Sequence, residues 1–339
     1  MLILGIETSC DETSAAVLDG MMPRSNVVLS QHEHGVYGGV VPELASRAHI
    51  RTVIPVIEQA LREAEIHLRE IEAIAVTNRP GLVGSLIVGV NAAKGIALAS
   101  DKPLIGVNHL EGHIFSNLIE HEIEVPFLCL LVSGGHTELL LVRQLGEYET
   151  LGRTLDDAAG EAFDKVAKLL GLLPAEGVVM GGRLISDRAA DGDALAFTFP
   201  RALQRQEDRL DFSFSGLKTA VLNQVNSLKA AGSSALADRV ADIAASFQVA
   251  VVDALVTKTV RAVELTGVRT VTLAGGVAAN RLLRSCLQEA VENLGAACYI
   301  PSPVLCTDNA AMIAAAGQHH LELGERDGYD LDAFPRALL

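Results

Sequence analysis

Short apolar runs alternate with longer segments of helical periodicity along most of the chain. Residues 2–7 and 13–19 are rich in Leu, Ile, Val and Ala and flank a polar turn, which predicts a β-hairpin. A third strand is predicted near 26–31, and apolar side chains at helical spacing predict a helix over 42–64. The pattern further predicts a strand over 71–77, a helix over 81–99, a strand over 104–107 and a helix over 109–120.

The second half of the chain repeats this order. Residues 127–132 and 138–142 predict a second hairpin, and 148–154 can supply a third strand. After a long helical and loop region, the pattern predicts a helix over 236–266, a strand over 270–273, a helix over 278–293, a strand over 297–300 and a helix over 309–322. Each half therefore runs strand, strand, strand, helix, strand, helix. This repeat predicts two duplicated α/β domains that face each other across a cleft.

The predicted domain boundary lies near 121–126, where Glu, His and Pro interrupt the apolar periodicity. We assign residues 1–123 to an N-terminal domain and 124–306 to a C-terminal domain with a helical insertion around 156–235. The last helix, within 307–323, is a candidate to pack back onto the N-terminal domain.

Composition restricts the function classes. The chain has 27 basic and 42 acidic residues and a net charge of −15, which excludes a generally basic nucleic-acid-binding surface. Hydrophobic residues make up 49% of the chain and charged residues 20%, which excludes disorder. Five cysteines without a C-x-x-C spacing argue against a disulfide framework and against a thiolate zinc site. With no basic leader and no apolar run of bilayer length in the sequence, we expect a cytoplasmic protein without membrane association.

Three turns rich in glycine or acidic residues follow predicted strands, at residues 7–13, 131–137 and 273–281. A glycine pair lets backbone amides approach a phosphate closely, and the third turn is predicted to open directly into a helix N-terminus, which favours an anion. A single Gly-Gly pair is more often a plain tight turn. Together, in matched halves, the three turns predict nucleotide-binding loops.

His109 and His113 lie one helical turn apart, so both imidazoles can reach one metal ion. Glu111 is about 200° around the helix from His109 and is poorly placed to activate a metal-bound water. Asp308 is a candidate third ligand. The alternatives are two partly exposed histidines on a helix face and an N-cap role for Asp308.

Two further segments combine acidic or alternating polar residues with helix starts. In residues 156–165 the first acids favour the helix dipole, but Asp164 lies two turns in, where that effect has faded. Residues 211–218 alternate large apolar and small polar side chains, which indicates either packing or a substrate-facing loop.

Taken together, eight motifs resemble those of the TsaD family. They are residues 5–13, 38–47, 109–113, 131–137, 156–165, 211–218, 274–280 and 306–309. The resemblance covers nearly the whole chain. It implies the duplicated α/β fold shared by actin, sugar kinases and heat-shock ATPases. It also implies transfer of a threonylcarbamoyl group from threonylcarbamoyl-AMP to the N6 amine of the adenosine 3′-adjacent to the anticodon, in tRNAs that read codons beginning with A.

The resemblance also implies roles for individual residues. His109, His113 and Asp308 match the ligands of one divalent metal ion, Fe2+ or alternatively Zn2+, and Asp11 and Glu12 match an acidic pair that assists at the reacting end. The implied substrate-binding residues are Leu131, Val132, Ser133, Gly134, Gly135, Asp164, Gly182, Ser186 and Asn280. The implied partners are tRNA, a TsaB-like paralogue and a TsaE-like ATPase.

Some positions depart from the family pattern. Residues 173–183 are longer than the usual Tyr-Pro-Gly-Gly-Pro segment and lack its tyrosine, Ser186 stands where many members have aspartate, and Arg79 stands where glycine is usual. Three other classes compete with the transferase assignment. A metalloprotease is disfavoured by the position of Glu111, a sugar or acetate kinase would not need the His109, His113 and Asp308 trio, and a silent scaffold would not need all three ligand positions filled.

Overall fold

The structure is a computed structural model, and it describes residues 1–31, 34, 39–173, 181–203, 209–231 and 233–339. The chain forms two compact units. The first consists of Met1–Glu122 together with Val304–Leu339, and the second of the described residues between Ile123 and Pro303. The first unit is therefore discontinuous in sequence.

The first unit contains a five-stranded sheet in the order β3-β2-β1-β4-β5. Its strands are β1 (Leu2–Glu7), β2 (Glu12–Asp19), β3 (Met22–Ser30), β4 (Ala73–Arg79) and β5 (Leu104–Asn108). The strands β1, β2 and β3 pair in antiparallel fashion, whereas β4 is parallel to both β1 and β5. The predicted first hairpin and third strand are confirmed.

Helices cover both faces of this sheet. They are α1 (Pro42–Ala64), α2 (Val83–Ser100), α3 (His109–Glu120) and α11 (Ala310–Glu322). Leu4 and Ile6 belong to the core formed with α1 and α2. Gly5, between them, points to the opposite face, where a side chain would overlap the carbonyl of Ala310 at the start of α11.

The seam between α11 and the sheet is built from very small residues. Residues 310–317 of α11 are all buried. A Cβ at Gly5 would overlap Ala310, and one at Gly317 would overlap the methyl group of Ala75 on β4. Because neither position has room for a side chain, the register of α11 on the sheet is fixed.

The second unit repeats the first sheet. Its order is β10-β9-β6-β7-β8, which matches the first order strand for strand when β6 is set against β1. Its strands are β6 (Phe127–Val132), β7 (Thr137–Gln144), β8 (Glu147–Arg153), β9 (Thr270–Ala274) and β10 (Ala297–Tyr299). Again the first three strands are antiparallel, and β9 is parallel to β6 and β10. The predicted duplication is confirmed at the level of topology.

The remaining helices follow β8. They are α4 (Ala159–Leu169), α5 (Gly181–Ala189), α6 (Ser215–Ala231), α7 (Ser233–Ala237), α8 (Val240–Thr266), α9 (Arg281–Asn293) and the short α10 (Pro303–Cys306).

Two predicted helix starts are wrong. The helix predicted from residue 278 begins only at Arg281, because Gly275 has a φ of 89° and a 3-10 turn over Gly276–Ala279 follows it. The Gly275-Gly276 pair therefore does not open directly into α9. The helix predicted from residue 236 is divided, since α7 ends at Ala237 and α8 begins at Val240.

Two helices correct the expectation that no apolar segment is long enough to cross a bilayer. By length and composition alone, α2 and α8 both pass that test. Core helices of globular proteins pass it too. α8 is mostly buried in the second unit, and α2 packs against α1 and β4 in the first.

The C-terminal tail lies along β5. Asp327 forms a bridge with Leu104 and accepts a hydrogen bond from the Gly106 amide at 2.7 Å. Further along, the Asn108 side chain donates to the carbonyl of Leu338 at 3.2 Å. The tail is thus hydrogen-bonded to the residue that precedes α3.

Candidate functional site

The structure brings His109, His113 and Asp308 together within the first unit. Asp308 Oδ1 lies 3.5 Å from His109 Nε2 and 3.3 Å from His113 Nε2, and the two imidazole rings meet edge to face with centroids 4.7 Å apart. His109 is 8% exposed and His113 fully buried, so the alternative of two partly exposed histidines is wrong.

The N-terminal capping of α3 and α11 determines where these three side chains lie. The Asn108 side chain accepts a hydrogen bond from the Leu110 amide at 2.9 Å, so α3 begins at His109. At α11 the cap is Asn309, whose side chain accepts from the Met312 amide at 3.1 Å. The N-cap role weighed for Asp308 is therefore wrong, and its carboxylate faces the two histidines instead.

The geometry of this group fits a divalent metal ion. Among the described residues, these three offer ligand atoms that all lie within 4.8 Å of one another. Ligands at about 2.1 Å from a metal would be separated by about 3.0 to 3.4 Å, close to the two separations from Asp308. Neither ring nitrogen of the buried His113 has a well-aligned hydrogen bond. Two imidazoles and one carboxylate are a donor set that both iron and zinc accept, with positions left for other ligands.

The electrostatic environment separates the two histidines. Burial alone would lower the pKa of His109, but the carboxylates of Asp308 and Glu7 raise it to about 9. Burial lowers the pKa of His113, whose ring lacks a comparable second carboxylate. The surroundings of His109 therefore favour positive charge at this position, and a bound cation would supply it.

Asp11 lies in the turn between β1 and β2 and directly precedes Glu12, the first residue of β2, which is close enough to Asp308 to interact with it electrostatically. Burial, followed by the charges of Asp308 and Asp11, raises the pKa of Glu12 well above its usual range. His49 on α1 donates a hydrogen bond from Nε2 to the carbonyl of Cys10 at 2.9 Å and so supports the turn. Burial and the neighbouring carboxylates thus favour the protonated form of Glu12 near the metal-ligand group.

Glu111 does not face the histidine pair. Its Oε2 lies 2.8 Å from Nε2 of His320 on α11, and His320 Nδ1 lies 2.7 Å from Glu325. This arrangement fits the expectation that Glu111 is not a water-activating base. The contact between Glu111 and His320 also joins α3, which carries His109 and His113, to α11, which begins two residues after Asp308.

His320 predicts a pH dependence of stability. Hydrogen bonding to Glu111, opposed by burial and aided by Glu325, raises the pKa of His320 to about 9. A raised pKa stabilises the folded state fully below the unfolded value of about 6.5, and this contribution disappears as the pH rises to about 9. The difference in unfolding free energy between the wild type and His320→Gln should therefore shrink from pH 6 to pH 9.5 in urea titrations. A constant difference would contradict the assignment.

In the second unit, the turn between β6 and β7 exposes its two glycines. Leu131 and Val132 are buried strand residues, and the Ser133 amide donates to the carbonyl of His136 at 2.8 Å. A Cβ at Gly134 or Gly135 would meet no protein atom within 4 Å. Packing therefore does not require glycine here, which leaves access for a ligand as a reason for it.

Two other glycines hold neighbouring segments against this turn. A Cβ at Gly160, in the first turn of α4, would lie 2.5 Å from the carbonyl oxygen of Ser133. One at Gly275 would lie 2.5 Å from the carbonyl oxygen of Val132. The predicted loops at 131–137 and 273–281 are thus adjacent in the second unit.

The structure explains why an acidic residue, Asp164, lies inside α4, which the sequence did not. Its Oδ1 accepts a hydrogen bond from the Gly181 amide at 3.0 Å, which joins α4 to the start of α5. Gly182 follows at once, and Ser186 lies one turn further along α5. Residues 174–180 of the divergent segment, like Gly38 in an earlier motif, lie outside the described residues.

Asn280 has two interactions within the second unit. Its Oδ1 accepts from the Leu283 amide at 3.0 Å, which caps α9, and its Nδ2 donates to Gln248 Oε1 at 2.8 Å. Its expected substrate contact therefore has to coexist with these two bonds or replace one of them.

The motifs at 156–165 and 211–218 bind each other. Asp156 accepts hydrogen bonds from the Ser213 hydroxyl at 2.5 Å and the Phe214 amide at 2.8 Å. Asp157 accepts from Lys165 and Lys218 at 2.8 and 2.7 Å. Of the two interpretations of residues 211–218, packing is the one that these contacts support. These hydrogen bonds of Asp156 and Asp157 orient α4, which carries Asp164.

Glu7 is a buried polar residue that was missed as a site residue. Glu7, at the end of β1, lies 3.0 Å from His109 Nδ1, and it accepts a hydrogen bond from the Thr77 hydroxyl at 2.6 Å. A carboxylate ending an otherwise apolar strand was the available signal. Arg79, by contrast, donates to the neighbouring Asn78 side chain at 2.8 Å.

Comparison with known proteins identifies relatives along nearly the whole chain. The family model described as TsaD, tRNA N6-adenosine threonylcarbamoyltransferase, matches residues 24–315. A protein of that name from Symbiobacterium thermophilum is 54% identical over 338 residues, covering 98% of this chain and 96% of the relative. Another, from Geotalea uraniireducens, is 52% identical over 337 residues, covering 99% and 96%.

Solved structures of lower sequence identity share the fold. Full-length HypF, crystallised in a phosphate- and nucleotide-bound form, has a TM-score of 0.62 at 17% identity and covers 95% of this chain and 56% of its own. Component A of the Acidaminococcus fermentans (R)-2-hydroxyglutaryl-CoA dehydratase has a TM-score of 0.55 at 15% identity, covering 95% and 99%. The expected duplicated actin-like fold is confirmed. With matching motifs, full-length relatives and this fold, the chain belongs to the TsaD family.

Proposed function

We propose that this chain transfers the threonylcarbamoyl group from threonylcarbamoyl-AMP to the N6 amine of the adenosine 3′-adjacent to the anticodon. The tRNAs are those that read codons beginning with A. The observation that carries the proposal is the buried group of His109, His113 and Asp308 in a member of a family with this activity. We place the reaction in the cytoplasm, where its tRNA substrates are found.

The proposed step is an acyl transfer to nitrogen. The adenosine amine attacks the carbamoyl carbon, a carbon–nitrogen bond forms, and the bond from that carbon to the phosphate oxygen breaks. AMP leaves with the bonding electrons, and the amine loses one proton. Because the mixed anhydride is already activated, binding and orientation of the two substrates supply much of the rate enhancement. No serine or cysteine nucleophile is required.

We assign metal binding to His109 Nε2, His113 Nε2 and an oxygen of Asp308, with Fe2+ as the ion and Zn2+ as the alternative. When bound, such an ion supplies Lewis-acid polarisation of a carbonyl or phosphoryl oxygen. The donor set and the separations from Asp308 support this assignment.

We assign the proton movements to Asp11 and Glu12. Burial and its acidic neighbours raise the pKa of Glu12, which favours the protonated form of this side chain. It can therefore donate to the leaving phosphate, while Asp11 accepts the proton that the amine loses. This assignment rests on the electrostatic interaction of Glu12 with Asp308 and on the position of Asp11 directly before Glu12.

We assign adenylate binding to the second unit. The exposed backbone at Gly134 and Gly135 leaves room for a phosphate, and the neighbouring turn at Gly275 is held against the same strand end. The further substrate-binding residues that we propose are Leu131 and Val132 through their backbone, Ser133, Asp164, Gly182, Ser186 and Asn280.

The decisive experiment is a single-turnover assay. Full-length protein loaded with Fe2+ or Zn2+ is mixed with threonylcarbamoyl-AMP and unmodified tRNA, with and without a TsaB-like protein and a TsaE-like ATPase. We expect threonylcarbamoyladenosine to form, and none on a matched tRNA carrying guanosine at the acceptor position. Absence of product under all conditions would refute the proposal, and so would phosphorylation of a sugar or acetate by the chain in a parallel assay with ATP.

We propose that a TsaB-like paralogue binds the outer face of α1 and α2. Ile50 and Ile54 on α1 and Val83 and Ile87 on α2 are all exposed, although the two helices pack together. Large exposed apolar side chains on two helices that pack together are a feature that a protein partner can cover. The TsaE-like ATPase is assigned as the second protein partner from family membership.

The net charge of −15 predicts that the isolated chain binds tRNA weakly. Long-range repulsion opposes association, and local basic residues such as Arg47, Arg51, Arg79 and Lys94 would give a steep salt dependence. We expect a Kd above about 1 µM near physiological salt, falling when both protein partners are added. Fluorescence anisotropy between 50 and 300 mM salt measures this. Tight, salt-insensitive binding by the chain alone would contradict the charge argument.

A further inference from the structure

Glu7 lies directly behind His109, on the side away from Asp308. The carboxylate is fully buried, and both of its oxygens have partners. Oε2 accepts from the Thr77 hydroxyl at 2.6 Å and lies 3.0 Å from His109 Nδ1, and Oε1 accepts a short hydrogen bond from the Ser9 amide. With both oxygens engaged, the carboxylate cannot rotate freely.

The two nitrogens of His109 therefore face different groups. Nδ1 faces Glu7 at 3.0 Å, with the Ser9 hydroxyl at 3.2 Å, and Nε2 faces Asp308 at 3.5 Å. If Nδ1 carries the ring proton and donates it to Glu7, the Nε2 lone pair points toward Asp308. His113 has no equivalent support, since neither of its nitrogens makes a well-aligned hydrogen bond.

We propose that Glu7 is a positioning residue for the metal site, which holds His109 in the tautomer and ring orientation that leave Nε2 available as a ligand. Buried carboxylates behind ligating histidines commonly act in this way. The inference rests on the proposed function, because it assumes that His109, His113 and Asp308 bind a metal ion.

The Glu7→Gln variant separates this role from simple packing. The Ser9 amide can only donate, so the glutamine oxygen takes the Oε1 position and the NH2 group takes the Oε2 position. The Thr77 hydroxyl can turn to accept, but His109 Nδ1 must then also accept. The ring proton moves to Nε2 and blocks the ligand position. A variant of nearly identical volume thus favours the wrong tautomer.

Glu111→Gln provides a matched control. Glu111 is also a buried carboxylate that accepts from a histidine, and it lies on the same helix as both histidine ligands. Its partner is His320, however, which is not a candidate ligand. The change tests what loss of a buried carboxylate does to the fold without altering the tautomer of His109.

The test measures metal binding by the full-length protein, without reference to activity. Metal-free protein is titrated with Zn2+ against a chromophoric chelator and with Co2+ by visible absorption. We expect Glu7→Gln to weaken Zn2+ binding about 10- to 100-fold and to change the Co2+ spectrum. We expect Glu111→Gln to change the affinity less than about threefold. Wild-type affinity in Glu7→Gln, or equal losses in both variants, would overturn the proposal.

A second measurement needs no variant, in case Glu7→Gln fails to fold. Nitrogen-15 NMR of the histidines in the Zn2+-loaded wild type distinguishes the coordinated ring nitrogen from the protonated one. We expect His109 to coordinate through Nε2 and to carry its proton on Nδ1, and coordination through Nδ1 would overturn the role of Glu7. A wild type that binds no metal would instead refute the metal assignment in the proposed function, and the role of Glu7 with it.

Discussion

Replacing His113 with alanine is expected to remove the bound metal ion and to slow threonylcarbamoyl transfer by about 1,000-fold. His113 Nε2 lies 3.3 Å from Asp308, and its ring makes no well-aligned hydrogen bond that would explain its burial otherwise. Lewis-acid stabilisation contributes several kcal/mol, and each 1.4 kcal/mol corresponds to a factor of ten. The metal content measured by mass spectrometry and the rate of single-turnover transfer should therefore fall together.

A matched histidine on α11 controls for loss of a ring. His319 packs against Phe115 of α3 with ring centroids 5.4 Å apart, yet it is not a candidate ligand. We expect His319→Ala to keep its metal content and to lower the melting temperature by a few degrees through lost packing. Stoichiometric metal retained in a His109→Ala/His113→Ala double variant would show that the ion binds elsewhere.

Substitution by valine should have different effects at Gly134, where it should weaken ligand binding, and at Gly160, where it should also destabilise the protein. A Cβ at Gly134 has no protein atom within 4 Å, so we expect valine there to change the free energy of unfolding by less than about 0.5 kcal/mol. The same side chain should weaken binding of a stable threonylcarbamoyl-AMP analogue tenfold or more, because it occupies the space where backbone must approach the ligand. Calorimetric titration and urea unfolding measure the two effects.

At Gly160 the same substitution acts on the protein itself. Its Cβ would press on the Ser133 carbonyl, so the turn or α4 must move, at a cost of about 1 to 3 kcal/mol. Analogue binding should fall as well, since the turn is displaced. Gly95→Val, which adds a side chain in open space on α2, should leave binding unchanged. Undiminished binding by Gly134→Val would show that the adenylate does not use this turn.

Sequence patterns predicted the elements where the physical signal was local and strong. The bounds of α3 and the spacing of His109 and His113 followed from helical periodicity, and the matched order of strands predicted the repeated sheets. The roles of Asp308 and Asn309 were harder, because either residue type can cap a helix and only the orientation of the chain decides which one does.

Interactions between segments far apart in the sequence could not be predicted from such local patterns. Nothing local in the sequence indicates that Asp156 binds Ser213, or that Glu7 faces a histidine 102 positions later. Both contacts depend on how strands and helices pack after the chain has folded. The 3-10 turn at Gly276–Ala279 was missed for a related reason, since a positive φ at Gly275 is permitted by glycine but not required by it.

The discontinuity of the first unit has a consequence for biosynthesis. Two candidate ligands lie on α3, whereas Asp308 and the helix that covers the Gly5 face of the sheet come after the 181 residues numbered 123–303. At typical synthesis rates, a ribosome needs roughly 10 to 35 s to make that intervening segment. During this interval the nascent first unit has an uncovered sheet face and an incomplete set of ligands. On the proposed metal assignment, the three ligands can act together only after synthesis of the chain beyond residue 308, so that a loaded site would mark a polypeptide in which both units have been made.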